Sequence, residues 1–297
     1  MKVVVLGAGA LGSIVAGHLA RAGEDVTLLA GGDRAEYLRQ NGITITGVAE
    51  FNTRCSITTE PRELSDADVL IVTVKTHDLD LAVSSLAHIK VSSVISVVNG
   101  VHVNDRLAEV FGTASTVGSS AYFAGDTSPG GEVRFTVNDG FFIGDLPEGL
   151  SDRVQSLSEI LQSSSITSEA VANIRTLQWP KFTLWAACGP VSILTRLATY
   201  RLMSDPDSAL IVARSMREIA TVAGKLGITV EDIGTFPVTA VVSGSEEEAV
   251  SALQGLGAVF EANAPDHRIS PLQDLERGRR LEIDETLGYV VEEARRL

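Results

Sequence analysis

The chain has 297 residues, 44% of them hydrophobic, and its 38 acidic and 24 basic side chains leave a net charge of −14. That length supports one large domain or two ordinary ones with real cores. The acid excess disfavours a nucleic-acid partner, no uncharged apolar run reaches the ~18 residues of a membrane span, and Cys55, Cys188 and the histidines show no disulfide or metal-ligand spacing.

The apolar run Lys2–Leu6 predicts a strand, and Gly7, Ala8, Gly9, Ala10, Leu11 and Gly12 follow it directly. A strand turning through three spaced glycines into a helix (here Ser13–Ala22, closed by Gly23) forms a landing site for a dinucleotide pyrophosphate. The first glycine permits the tight turn, the second lets the backbone approach the phosphates, and the third lets helix and strand pack closely. The helix N-terminus adds unpaired N–H groups and a positive dipole end. The same stretch mimics a signal peptide, since Lys2 precedes an uncharged run to Gly17. The fingerprint spacing and the immediate return of a strand pattern argue against that, so a cytoplasmic protein is expected.

Further strands are predicted at Val26–Ala30, Ile43–Thr46, Val69–Val74, Val94–Val98 and Thr116–Tyr122. Helices are predicted at Arg34–Asn41, Asp78–His88 and Asp105–Phe111. The alternation implies an α/β, Rossmann-like, doubly wound parallel sheet, with ligands beyond the carboxyl ends of its strands. Glu132–Val137 and Phe141–Ile143 read as a hairpin turning at Asn138, Asp139 and Gly140; Val154–Leu161 reads as a helix and Ile166–Val171 as a strand. Beyond that point helical periods dominate: Ile174–Leu197, Ala209–Leu226 with Ser208 as its cap, Glu246–Glu261 and Pro271–Leu297. The expected division is a dinucleotide-binding domain over 1–171 and an all-helical C-terminal domain over 172–297.

A dinucleotide domain followed by a helical one points to a dehydrogenase, which needs a proton donor and groups that bind an anionic substrate. Lys75 and Asn99 stand at carboxyl ends of predicted strands, where they read equally as site residues or as an ordinary strand end and turn. Lys181 lies among Phe182, Leu184 and Trp185; desolvation would lower its pKa and make it a usable acid, against the plainer reading of a snorkelling surface lysine. Ser270, Asp274 and Glu282 fall at offsets of four and eight on one face of the predicted terminal helix.

Taken together, the glycine turn, Val74 and Lys75, Val98 to Val101, Trp179, Pro180 and Lys181, and the terminal run from Ser270 through Asp274, Glu282 and Asp284 resemble the ketopantoate reductase (2-dehydropantoate 2-reductase) family over nearly the whole chain. The resemblance implies NADPH-dependent reduction of a 2-oxo acid, with 2-dehydropantoate going to pantoate in pantothenate synthesis. It implies Lys181 as general acid and Glu282 as the catalytic partner that binds the substrate hydroxyl. Ser270 would bind the substrate carboxylate, and Lys75 and Asn99 would form the nucleotide-side wall, Asn99 also meeting substrate.

Two departures bear on specificity. The family carries asparagines four and eight residues after the lysine, where this chain has Trp185 and Gly189; the first either lines a more apolar pocket or turns into the core. The family's arginine for the cofactor phosphate follows the second strand, where this chain has Gly31. Arg34 is expected to take over that contact for NADP; NAD is the alternative, with Asp33 on a ribose hydroxyl. Two other functions stay open: a D-2-hydroxyacid dehydrogenase of branched or aromatic 2-oxo acids, and a non-catalytic NADP(H)-binding regulator. A small-molecule substrate is the expected partner, without nucleic acid, membrane or metal, and an exposed apolar face on the helical half would suit a homodimer.

Overall fold

A computed structural model describes residues 1–234 and 236–297. They fall into two compact units, Met1–Ile174 and Arg175–Leu297. The first is an α/β unit and the second is helical.

In the first unit β1 (Lys2–Leu6), α1 (Ala10–Arg21), β2 (Asp25–Leu29), α2 (Gly32–Asn41), β3 (Ile43–Gly47), β4 (Phe51–Thr53), β5 (Ser56–Thr58), β6 (Asp66–Val72), α3 (Leu79–Ser85), β7 (Lys90–Ser96), α4 (Val103–Phe111), β8 (Gly118–Thr127), β9 (Val133–Gly144), α5 (Asp152–Ser163) and β10 (Ser168–Ala170) follow in order. A five-stranded parallel sheet has the order β5-β2-β1-β6-β7. Successive side chains of β1 point to opposite faces, as a strand requires. Val3 and Val5 join the core under α1, while Val4 and Leu6 join Leu79, Val83, Val103 and Leu107 from α3 and α4.

A second sheet covers the other side of α1, which contacts β3, β4, β8 and β9 as well as β1 and β2. Its spine is β9, paired antiparallel with β8 along its length and parallel with β3 and β10. This corrects the expected hairpin at 138–140, because β9 runs unbroken through those residues. Asp139 and Gly140 take up a register shift against β8, and Asn138 spends its side chain on the neighbouring segment, accepting from the Thr167 backbone at 3.0 Å. A bulge thus replaces the turn. The hairpin turn of this sheet lies at Ser128–Glu132, where the Ser128 N–H donates to the Glu132 carbonyl at 2.8 Å.

The second unit holds α6 (Arg175–Thr195), α7 (Thr199–Ser204), α8 (Pro206–Lys225), α9 (Val238–Ser243), α10 (Glu246–Asn263), α11 (Ser270–Glu276), a π-helical turn (Asp284–Gly288) and α12 (Tyr289–Arg296). The cap of α8 is Asp205, whose carboxylate accepts from the Ser208 N–H at 2.8 Å, so Ser208 lies in the first turn instead of capping it. Pro206 at the first helical position sets that start, since proline gives up no needed donor there. The expected helix over 271–297 is broken. α11 ends at Glu276 with Arg277 as its cap, Gly278 takes a left-handed φ of +63°, and Arg279 N–H closes the end on Asp274 O at 2.8 Å. Ser270 and Glu282 therefore do not share one helix face.

Candidate functional site

The glycine turn has the geometry that a dinucleotide phosphate needs. Gly7 has φ +110° and donates to Leu29 O at 3.1 Å, tying the turn to β2. A Cβ on Gly12 would lie 2.0 Å from the Gly7 carbonyl oxygen, so only glycine lets α1 start this close to β1. At Gly9, which caps α1, a Cβ would meet nothing within 4 Å. That open space sits over the first turn of α1 (Ala10, Leu11, Gly12), which carries no acid to oppose an anion. The residues present thus fit a dinucleotide. Thr73, just past β6, locks the turn: its hydroxyl donates to Gly7 O at 2.8 Å and lies 3.0 Å from Leu6 O. It went unnoticed in the sequence because it sits inside an apolar run; a lone threonine at the end of a buried strand was the available signal.

Arg34 is half-buried beside this turn. Its Nε donates to Ala8 O at 3.0 Å, one terminal nitrogen donates to Ser13 Oγ at 3.0 Å, and the other donates to Gly131 O in the β8–β9 turn. The guanidinium also lies 5.2 Å from the Tyr37 ring centroid, and burial lowers its pKa. Lys75 and Asn99 follow the neighbouring strands β6 and β7. Buried Thr76 joins the two loops, donating from its hydroxyl to Asn99 O at 2.7 Å.

In the second unit α6 carries Lys181, Trp185 and Gly189 at one-turn intervals, along the face that meets α11. A Cβ on Gly189 would lie 3.5 Å from Pro271 Cγ. Trp185 is half-buried, and its indole N–H donates to Ser270 Oγ at 3.2 Å. The indole is therefore tied to the first residue of α11 instead of turning wholly into the core. Desolvation brings the Lys181 ammonium down from 10.5 to about 8. Glu282 is 3% exposed, and its carbonyl accepts the Thr286 hydroxyl from the π-helical turn, which also packs on α6. The fold thus brings Trp185 to Ser270 and seats the Glu282 segment on the lysine helix. The glycine turn, Arg34, Lys75 and Asn99 belong to the first unit. Among the described residues no cluster of three metal-ligating side chains occurs, and no helix is long and apolar enough to cross a membrane.

Comparison with known proteins covers both units. Residues 3–148 match the family model for ketopantoate reductase PanE/ApbA, and residues 173–297 match the model for its C-terminal part. A protein of Archaeoglobus fulgidus named 2-dehydropantoate 2-reductase is 28% identical over 290 residues, spanning 98% of this chain and 90% of its own length. A PanE/ApbA family ketopantoate reductase from Ralstonia eutropha superposes with a TM-score of 0.82 at 25% identity, over 99% of this chain and 91% of that one. The same fold is seen in D-mandelate dehydrogenase with NADH and anilino(oxo)acetate, with a TM-score of 0.86 at 18% identity, over 100% of this chain and 92% of that one. With family models matching the glycine-turn unit and the lysine-bearing unit in turn, the chain belongs to the ketopantoate reductase family.

Proposed function

We propose that this chain reduces a 2-oxo acid to the 2-hydroxy acid, with 2-dehydropantoate as the first substrate and pantoate as the product. The reading rests chiefly on the α6–α11 face, where Lys181 stands one turn from Trp185 and Trp185 is bonded to Ser270. Relatives named 2-dehydropantoate 2-reductase support the substrate. The first unit is the nucleotide-binding one through Gly7 to Gly12, with Lys75 and Asn99 as further wall, and the second carries the substrate residues. A reduced nicotinamide dinucleotide supplies the hydride; NADPH is the expectation if Arg34 meets a 2′-phosphate, and NADH is the alternative. Lys181 gives its proton to the carbonyl oxygen as negative charge develops there, and its desolvation makes that transfer easier near neutral pH. The Ser270 hydroxyl, which accepts from Trp185, keeps its own proton to donate to the substrate carboxylate. Glu282 accepts from the substrate hydroxyl. A cytoplasmic role in pantothenate synthesis, as a homodimer, goes with this reading.

A second reading has its own observation. Trp185 presents an indole at a family amide position, which suits a branched or aromatic 2-oxo acid better than a hydroxylated one. The test follows loss of reduced-nicotinamide absorbance with 2-dehydropantoate against a panel of branched and aromatic 2-oxo acids. Preference for 2-dehydropantoate supports the first reading, and preference for a bulky acid supports the second. Cofactor binding with no turnover on any acid overturns both in favour of a nucleotide-binding regulator.

A further inference from the structure

The choice between the two nicotinamide dinucleotides is written in the hydrogen bonds of Arg34. They differ only by a phosphate on the adenosine ribose, and in an α/β sheet of this kind that ribose lies at the carboxyl end of the second strand. An acid there suits the ribose hydroxyls, whereas an arginine there accommodates the phosphate. In this chain β2 ends at Leu29, and Gly31 and Gly32 lead into α2 with no side chain to offer. A Cβ at either glycine would meet nothing within 4 Å. The first charged side chain past β2 is that of Asp33, exposed in the first turn of α2. The neighbouring strand β5 leads into Glu60, Arg62 and Glu63, a second net-acidic segment, with Glu63 accepting from Thr58.

Arg62 is exposed and flanked by Glu60 and Glu63 in a segment of net negative charge, and the other cations nearby are engaged or remote. Each nitrogen of Arg34 donates inward, to Ala8, Ser13 and Gly131, and its guanidinium lies against Tyr37. Releasing Ala8 O or Ser13 to grip a phosphate would loosen the glycine turn that holds the rest of the nucleotide. Lys75 follows β6, two strands from β2 in the order β2-β1-β6, or about 10 Å at the ordinary strand spacing.

We infer that this chain takes NADH in preference to NADPH, with Asp33 at the ribose hydroxyls and Arg34 as a positioning residue that braces the glycine turn. The inference rests on the reductase reading above and narrows its cofactor.

The test is isothermal titration of the intact chain with NADH and with NADPH, which reads binding without turnover. NADH is expected to bind at least tenfold more tightly. Gly31→Arg is expected to reverse the order, and Asp33→Asn to narrow the gap. Arg34→Lys is expected to weaken both nucleotides to a similar extent while Tm stays near the parent value. Equal or tighter binding of NADPH overturns the inference, as does an Arg34→Lys or Arg62→Ala variant that loses NADPH alone. Failure of both nucleotides to bind overturns the reductase reading itself, an outcome distinct from a reversed preference.

Discussion

Of the two surfaces proposed to serve the reaction, the one at the head of α1 is backbone, whereas the one along α6 and α11 is side chains. The glycine turn is defined by what it lacks: no Cβ in the open space at Gly9, and none between Gly12 and the Gly7 carbonyl. The α6–α11 face is defined by what it displays, namely a desolvated ammonium at Lys181 and an indole bonded to Ser270. A surface made of backbone is intolerant where it is packed, because at Gly12 an added Cβ collides with main chain that has nowhere to go. A surface made of side chains can be retuned one residue at a time while its helices stay put.

The largest effect should come from the side-chain surface. Lys181→Ala is expected to lower kcat by roughly 10² to 10⁴-fold, the usual worth of a positioned general acid, while calorimetric titration still shows nucleotide binding. In the parent the reductive rate should fall as pH rises through about 8 if Lys181 is the acid proposed above, because its ammonium is then lost. A flat profile to pH 10 would remove Lys181 from proton transfer.

Next comes the backbone surface. Gly12→Ala puts a methyl 2.0 Å from a carbonyl oxygen and should cost about 3 kcal/mol of unfolding free energy, measured by urea titration. Gly9→Ala, with open space around it, should keep its stability and lose nucleotide affinity. If the two variants behaved alike, Gly9 and Gly12 would not divide the turn into an open position and a packed one.

Trp185→Asn should shift relative kcat/KM toward 2-dehydropantoate over an aromatic 2-oxo acid by about tenfold or more, the order expected for one restored polar partner. An unchanged ranking would place the indole outside the substrate pocket.

The smallest effect concerns His18, which is buried on α1 between Phe51 and Phe135 with its Nδ1 2.9 Å from Ser164 O. Desolvation holds its pKa below 6.5, so below that pH the unfolded chain binds a proton that the folded chain refuses. Stability should therefore be fully present above pH 6.5 and decline as pH falls toward the folded pKa. Thermal melts from pH 7.5 to 5 should show the decline, and His18→Phe should make it shallower, leaving the share of His267, whose pKa burial also lowers.

Much of this was legible in the sequence because it is local. The glycine spacing, the strand of Lys2–Leu6 and the α/β-to-helical change each depend on neighbours within a few residues. What depended on distant partners was not. Asn138, Asp139 and Gly140 look like a turn until β8 arrives to pair across them. A helix over 271–297 looks continuous until Gly278 takes its left-handed conformation and Arg279 closes back on Asp274. That Arg34 meets Gly131, 97 residues away, across the β8–β9 turn could not be read from its neighbours on α2. Trp185 and Ser270, 85 residues apart, could be tied to one place only through the family resemblance.

The bond between Trp185 and Ser270 also has an optical consequence. The chain has two tryptophans; Trp179 is buried, packed edge-on against Phe182, while Trp185 is half-buried with its ring N–H on the serine hydroxyl. Indole emission responds to the polarity and hydrogen bonding of its ring. Anything that takes the Ser270 hydroxyl, the proposed substrate carboxylate included, would therefore report itself through Trp185 without a label.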